Sequence, residues 1–430
     1  MLVRIHSSQH FRWVVVAMLF GLSFASYVER VNISVVAELM MPSLALSKSD
    51  MAIIFNAFLL GYALFQVPAG WLGDKVGARL VLSISAIAWG AITLATGFLP
   101  GALFKSATGI LAVLVTLRFL LGFAEAPTYP VAAQAVHQWM QPSQRGRGGS
   151  VMLMGSSVAS ALTAPFVAFC MLHFGWRESF YMTSLVAFAV GLIWFSFTRR
   201  ALLVENIETP APSLPDSASP LGQWLTLDVF LLSLSYASEG YLLFTFVSWL
   251  YIYLVEVRHF SLTSGGVMTS LPWMAAIAAT PLGGMLSDRL TRRLGRFRSA
   301  QLIIMTGYSL SGILLLVAAE VHGRTSAVLA LSISLGAMYL AESSFWTTAT
   351  SIAGGTHAAV VAGFMNTVGI LGGIASTSIV PLFVGRYGNT GWVAAFGSGT
   401  AMGGMTALVW WLLGKRLESR GGCPIPQGFL

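Results

Sequence analysis

Twelve apolar stretches, each twenty residues or longer, follow one another along this chain: 12–39, 51–73, 79–98, 109–137, 149–173, 178–198, 227–255, 264–287, 299–320, 325–351, 358–385 and 391–414. A helix needs about 20 apolar residues to cross the hydrocarbon core of a bilayer. Strands of a membrane barrel would read instead as alternating segments of about 10 residues. The runs here are continuous, so they predict helices. Charged residues make up only 9% of the 430, against about 25% in a soluble domain. Such a chain cannot coat a water-facing surface of its size, and it is too apolar for disorder. The predicted fold class is an all-α membrane protein with twelve transmembrane helices. The first run is longer than a signal-peptide core and no small-residue cleavage site follows it, so it is read as a span.

The basic residues orient the spans. Of 24 lysines and arginines, sixteen fall on one side if the N-terminus is inside, among them Arg4, Lys75, Arg145, Arg199, Arg292 and Lys415. Six fall on the other side (Lys48, Lys105, Arg177, Arg258, Arg324, Arg386), and two lie within spans. Cytoplasmic loops carry the excess of Lys and Arg, so both termini are expected in the cytoplasm. The net charge of +8 is then a topology signal and not a nucleic-acid footprint, since no basic soluble domain is present. The two cysteines, Cys170 and Cys423, give no disulfide framework. The histidines are too scattered for a metal cluster, and no phosphate loop is present, so no cofactor or metal is expected.

Residues 199–226 break the pattern. Pro210, Pro212, Pro215 and Pro220 with scattered acids mark a cytoplasmic linker. It divides the chain into an N-terminal six-helix bundle, 1–198, and a C-terminal six-helix bundle with a short cytoplasmic tail, 227–430. The halves share a loop motif. After the second span the chain reads GWLGDKVGARL, and after the eighth GGMLSDRLTRRLG. Both contain G-x-L-x-D-[KR], with Asp74 and Asp288 half a chain apart. Glycine lets helices approach closely, and an aspartate can cap or pair with arginine at a neighbouring helix end. Asp74, Arg79, Asp288 and Arg289 are therefore the candidate gating residues.

With twelve spans, a central linker and a doubled loop motif, the chain resembles the major facilitator superfamily over its whole length. Arg118 to Gly122 is similar to that superfamily's R-x-x-x-G in span 4. YVERVNIS (Tyr27–Ser34), RFLLGFAEAPTYP (Arg118–Pro130) and FMNTVGILGG (Phe364–Gly373) resemble stretches of its anion:cation symporter family. That family includes bacterial proton symporters for galactonate, glucarate and hexuronates, and the animal sialin and vesicular glutamate transporters. The resemblance implies a proton-coupled carrier of an organic anion, such as a sugar acid or another carboxylate. There are departures. Ala78 stands where the loop motif usually has a basic residue, Glu29 replaces a commoner aspartate, and Ile370 replaces an asparagine.

Ionisable groups inside spans cost several kcal/mol unless they face a cavity or a partner, so each is a functional candidate. The chain offers Glu29, Arg30, Arg118, Glu125, Glu239 and Glu342. Arginine grips a carboxylate through two parallel hydrogen bonds, so Arg30 is the candidate substrate anchor, with an ion pair to Glu125 as the structural alternative. Arg118 lies two turns before Glu125, on nearly the same helix face. Glu125 and Glu29 are candidate proton carriers, the role that the family resemblance also implies for acids of spans 1 and 4, and Arg118 would tune Glu125. The resemblance places Tyr27 and Tyr62 at the substrate. Ser156 stands where the galactonate-type carriers bind sugar hydroxyls through a glutamine. Trp346, Thr348 and Asn366 are candidates for the opposite wall. Glu239 and Glu342 are additional acids, each suited to a second proton, a cation or a basic partner.

The expected function is uptake of a small organic anion with protons, by alternating access around a site near the midplane between the bundles. It would be performed by a monomer in a bacterial inner membrane. A drug/proton antiporter on the same fold is one competitor, but span 5 reads GSSVASALTAPFV and lacks the exporters' G-x-x-x-G-P-x-x-G-G pattern. A non-transporting sensor or assembly subunit is another, and the loops leave no room for a signalling domain. No nucleophile–base constellation suggests an enzyme.

Overall fold

The computed structural model describes residues 9–141, 144–204 and 225–419, nearly all of them helical. The helices are α1 Gln9–Leu44, α2 Lys48–Val76, α3 Ala78–Phe98, α4 Ala107–Glu125, α5 Thr128–Trp139, α6 Arg145–His173, α7 Trp176–Val204, α8 Leu227–Ile252, α9 Leu262–Leu294, α10 Arg296–Glu320, α11 Arg324–Tyr387 and α12 Gly391–Ser419. Most of the expected linker lies outside the described residues. Among those described, ten helical runs are long and apolar enough to cross a membrane. One of them, Val361–Arg416, contains the break at Gly388–Thr390 and so holds two spans. The eighth expected span, in α9, is long enough but diluted by Pro272, Pro281 and several hydroxyls.

The helices expose apolar side chains outward and bury polar and charged ones among an apolar core, unlike a soluble protein. Ile53, Leu60 and Leu64 of α2 and Leu302, Leu310 and Ile313 of α10 are exposed at helical spacing. Ser233, Ser235 and Ser238 of α8 and the charged Glu29, Arg118 and Glu125 are buried. A surface this apolar is stable only against lipid. The buried hydroxyls of α8 bond to neighbouring carbonyls, as Ser233 does to Val229 at 2.8 Å and Ser238 to Met402 at 2.8 Å.

Local chemistry sets the helix ends. Ser47 and Asp50 form a reciprocal capping box at α2, with Asp50 N–H donating to Ser47 Oγ at 3.1 Å and Ser47 N–H to Asp50 Oδ2 at 2.8 Å. Each copy of the repeated loop ends in a glycine with positive φ, Gly77 at 88° and Gly295 at 80°. Glycine tolerates that conformation, and each one starts the next helix after a reversal of direction.

Helix α11 corrects one expectation. A loop was expected at 352–357, yet the helix runs unbroken from Arg324 to Tyr387. A straight helix would hold Glu342 and Gly369 about 40 Å apart. Both touch Tyr236: its hydroxyl donates to Glu342 at 2.8 Å, and a Cβ on Gly369 would lie 2.9 Å from its ring. The helix therefore bends back on itself, and its two arms serve as the tenth and eleventh spans.

Two compact units emerge. One takes the described residues of Met1–Ser213 with Phe246–Ser270, and the other those of Leu214–Thr245 with Leu271–Leu430. In the first, α1 packs on α6 and α7, α2 on α4, and α3 on α4 and α7. In the second, α10 packs on α11 and α12. The first unit also holds an ion pair from Lys48 to Glu256 at 2.5 Å, and the second one from Arg416 to Asp228 at 2.6 Å.

Candidate functional site

The fourth span is broken where the sequence reads EAPTYP. Helix α4 ends at Glu125 and α5 begins at Thr128. Pro127 has no N–H to continue the ladder. Side chains take over the carbonyls at the break: Trp89 Nε1 donates to Ala124 O at 2.8 Å and Thr128 Oγ1 to Glu125 O at 2.6 Å. Such a break is tolerated at membrane depth only where protein or a cavity covers it. Two glycines then bring α2 against α4. A Cβ on Gly122 would sit 2.1 Å from Phe58 O, and one on Gly61 2.2 Å from Phe119 O. The backbones touch, and Phe58 and Tyr62 are carried to the charged face of α4.

Arg30 is at the centre. Its Nε donates to Glu125 Oε2 at 2.6 Å, and Ser26 Oγ donates to the same oxygen at 2.9 Å. Its guanidinium lies 4.4 Å from the Tyr62 ring, 5.0 Å from Tyr27, 5.1 Å from Phe58 and 5.9 Å from Tyr129. Four electron-rich faces hold the cation in place without consuming its N–H groups. Tyr129 is fixed by Ser23, hydroxyl to hydroxyl at 3.1 Å. Arg118 donates from Nη1 to the Glu29 backbone carbonyl at 3.4 Å and lies over Phe58 at 5.6 Å. Glu29 is buried with its carboxylate facing the Thr93 hydroxyl.

The four charges sum to zero, two acids against two arginines, yet they are underbonded. Arg30 Nη2, Arg118 Nε and Glu125 Oε1 are buried without a hydrogen-bond partner among the described residues. Native interiors rarely leave such atoms unpaired without a functional reason. The cluster keeps both a spare donor and a spare acceptor, as a site for a transient anion and a transient proton requires.

The structure thus brings together Tyr27, Glu29, Arg30, Tyr62, Arg118 and Glu125, all expected from the sequence. It adds Ser23, Ser26, Phe58, Thr93 and Tyr129, which were not singled out. Helical spacing could have found two of them: Ser26 is one turn before Arg30 and Tyr129 one turn after Glu125. Ser156 is not drawn into this cluster, and its hydroxyl bonds Leu153 O of its own helix at 2.7 Å. In the second unit Trp346 Nε1 donates to Glu342 at 2.7 Å, Thr348 bonds Ser344 O at 2.7 Å, and Asn366 is half-buried on α11. The Asp74 side chain lies outside those described. Arg79 rests on the Phe195 ring at 4.5 Å. Asp288 and Arg289 are exposed and form no ion pair among the described residues. No group of three metal-ligating side chains occurs among the described residues.

Comparison with known proteins identifies the fold. Residues 18–377 match the model of the Major Facilitator Superfamily. The chain belongs to the major facilitator superfamily. Its relatives include a probable sulfoacetate transporter, SauU, of Cupriavidus necator, 30% identical with 88% of each chain covered. The hexuronate transporter of Bacillus subtilis is 28% identical, covering 89% of this chain and 92% of that one. The probable galactarate/D-glucarate transporter GudP of Escherichia coli is 27% identical over 67% and 69%. Among solved structures, a bacterial homologue of the human lysosomal transporter Spinster superposes with a TM-score of 0.71 at 19% identity, covering 95% of this chain and 98% of that one. A POT family transporter in complex with 5-aminolevulinic acid gives 0.72 at 12% identity, covering 97% of each. At those identities the likeness shows the fold alone. The chain is a multi-pass membrane transporter of the facilitator fold, with twelve helices in two six-helix bundles, and not an enzyme.

Proposed function

We propose that this facilitator couples protons to the uptake of a small organic anion, a carboxylate or a sulfonate, by alternating access in a bacterial inner membrane. The observation that carries this is the Arg30–Glu125 pair. Arg30 spends one N–H on Glu125 and keeps Nη2 unbonded in a buried aromatic cage. An incoming anion takes the guanidinium fork in two parallel hydrogen bonds. Glu125 then loses its counter-charge, and a proton replaces it. A buried carboxylate is neutralised by either a cation or a proton, so anion and proton bind together. Release of the anion returns Arg30 to Glu125 and expels the proton. Glu29 and Arg118 repeat this balance one layer away, joined through the Glu29 carbonyl.

Further elements belong to the same proposal. The bundles, 1–198 and 227–430, move about the 199–226 linker with both termini cytoplasmic, and the protein acts as a monomer. Asp74, Arg79, Asp288 and Arg289 form the cytoplasmic gate. Tyr27 and Tyr62 contact the substrate, and Ser156, Trp346, Thr348 and Asn366 offer it hydroxyl, indole and amide groups. The relatives' names support the substrate class, since they specify sulfoacetate, hexuronates and sugar diacids. The test is uptake of labelled sulfoacetate, a hexuronate and D-glucarate into proteoliposomes with an acidic exterior. Concentrative uptake of at least one, abolished by a protonophore, is the expected result. Uptake that only equilibrates, or is unchanged by the protonophore, would remove proton coupling.

A further inference from the structure

The second unit carries two acids of its own. Glu239 is buried in α8 and Glu342 is half-buried in the first arm of α11. Glu239 lies one turn after Tyr236 on α8, and the Tyr236 hydroxyl donates to Glu342, which brings the two carboxyls into one neighbourhood. Glu342 Oε1 receives two neutral donors, Tyr236 Oη at 2.8 Å and Trp346 Nε1 at 2.7 Å. Tyr308 of α10 is wholly buried, held edge-on to Phe345 at 5.3 Å. Its hydroxyl faces Glu342 as a third neutral donor, and it lies close enough to feel both carboxylates. It is therefore a buried polar group aimed into the acid pair. Tyr339 is the other ionisable group that acts on Tyr308.

The charge balance differs from that of the first unit. There, two arginines face two glutamates. Here no lysine or arginine acts on either carboxyl among the described residues. Two neighbouring carboxyls without a counter-ion do not both ionise in a low-dielectric interior; they share protons as one coupled unit. The missing positive charge has to be a bound cation or a proton. The donors decide which. An indole N–H and a phenol O–H both point at Glu342 Oε1, and their positive ends oppose a metal ion at that oxygen. They stabilise a carboxylate that hands its proton to a neighbour. Tyr308, whose hydroxyl also faces Glu342, can donate to an oxygen that has lost its proton.

We propose that Glu239 and Glu342 form a second proton-binding site, which loads one proton per transport cycle in addition to the one exchanged at Glu125. This rests on the proton-coupled function proposed above. A monovalent anion moving with two protons carries one net positive charge, whereas with one proton it carries none. The site therefore makes transport respond to membrane potential.

The experiment measures steady-state accumulation of a labelled hexuronate in proteoliposomes, with potential and pH gradient set independently. For the wild type, a tenfold potassium gradient clamped by valinomycin, inside negative, should raise accumulation about tenfold, since about 59 mV acts on one net charge. One pH unit should raise it about a hundredfold, as two coupled protons require. In Glu239→Gln and Glu342→Gln the potential response should vanish and the pH response fall to about tenfold, as one remaining proton requires. Counterflow of labelled against unlabelled hexuronate, which needs no net proton movement, shows that each variant is folded. If counterflow is lost in Glu239→Gln, Glu239→Asp, which keeps a carboxyl, should restore both counterflow and the potential response. Failure to restore them would overturn the proposal. Variants that keep the full potential response would also overturn it, as would a wild type that follows pH by one proton and ignores potential; the symport itself would then stand. A wild type indifferent to both gradients would overturn the symport as well.

Discussion

Replacing Arg30 by lysine keeps the charge and removes the geometry. The structure allows the loss to be worked out. Arg30 has Nε on Glu125 at 2.6 Å and Nη2 unbonded, so its fork is poised to take an anion with two parallel bonds. A lysine ammonium offers a single point contact, and one charge-assisted hydrogen bond of about 1.5–3 kcal/mol is lost. The planar stack over Tyr62 at 4.4 Å is also lost, worth about 0.5–1 kcal/mol. Together these give about 2–4 kcal/mol, or about 30- to 1,000-fold in affinity. The assay is binding of sulfoacetate or a hexuronate to the detergent-solubilised protein by calorimetry, with melting temperature as the check on folding. Arg30→Lys that binds within about threefold of wild type, a difference under 1 kcal/mol, would refute the assignment of Arg30 as the anion anchor.

Four other outcomes are expected. Glu125→Gln keeps an acceptor for Ser26 and Arg30 but cannot carry a proton, so the response of accumulation to one pH unit should fall by one proton, from about a hundredfold to about tenfold, while counterflow persists; an unchanged pH response would move the proton elsewhere. Gly122→Ala would place a Cβ 2.1 Å from Phe58 O and should destabilise by about 1–3 kcal/mol or more, lowering the melting temperature. Gly284→Ala meets nothing within 4 Å, so it should be neutral or stabilising by about 0.4–1 kcal/mol; equal effects from the two glycines would contradict the close α2–α4 contact. Lys48→Ala removes a partly exposed ion pair to Glu256, and should cost below about 1 kcal/mol, shrinking further in high salt.

Most of the fold was legible because bilayer thickness imposes one length on every span. Boundaries followed the apolar runs, and the repeated loop motif located two reversals, each built on a positive-φ glycine. The exceptions have physical causes. Helix α11 continues through 352–357, between the spans 325–351 and 358–385, because its backbone stays helical from Arg324 to Tyr387. The fourth span divides at Pro127, where side chains from Trp89 and Thr128 take the freed carbonyls.

The site was legible as a set of charges but not as a set of contacts. Charge in an apolar run is costly, which singled out Glu29, Arg30, Arg118 and Glu125 without any structure. Whether Arg30 meets Glu125 depends on two helices 95 residues apart in sequence, and both pairings stayed open until their packing was seen. Arg118 was expected to tune Glu125; its charge does act on Glu125, and its guanidinium also bonds the Glu29 backbone carbonyl, a contact no spacing announced. Aromatic cage members such as Phe58 and Tyr129 look like ordinary packing in sequence, and only the guanidinium among them gives them a function.

The most direct test of the account is the proton itself. Proteoliposomes loaded with a pH-sensitive dye and given sulfoacetate or a hexuronate outside should acidify internally, and Glu125→Gln vesicles should take up about half as many protons for each anion that enters. Anion entry without acidification in the wild type, or a proton count per anion that is unchanged in Glu125→Gln, would contradict the exchange of Arg30 for a proton at Glu125.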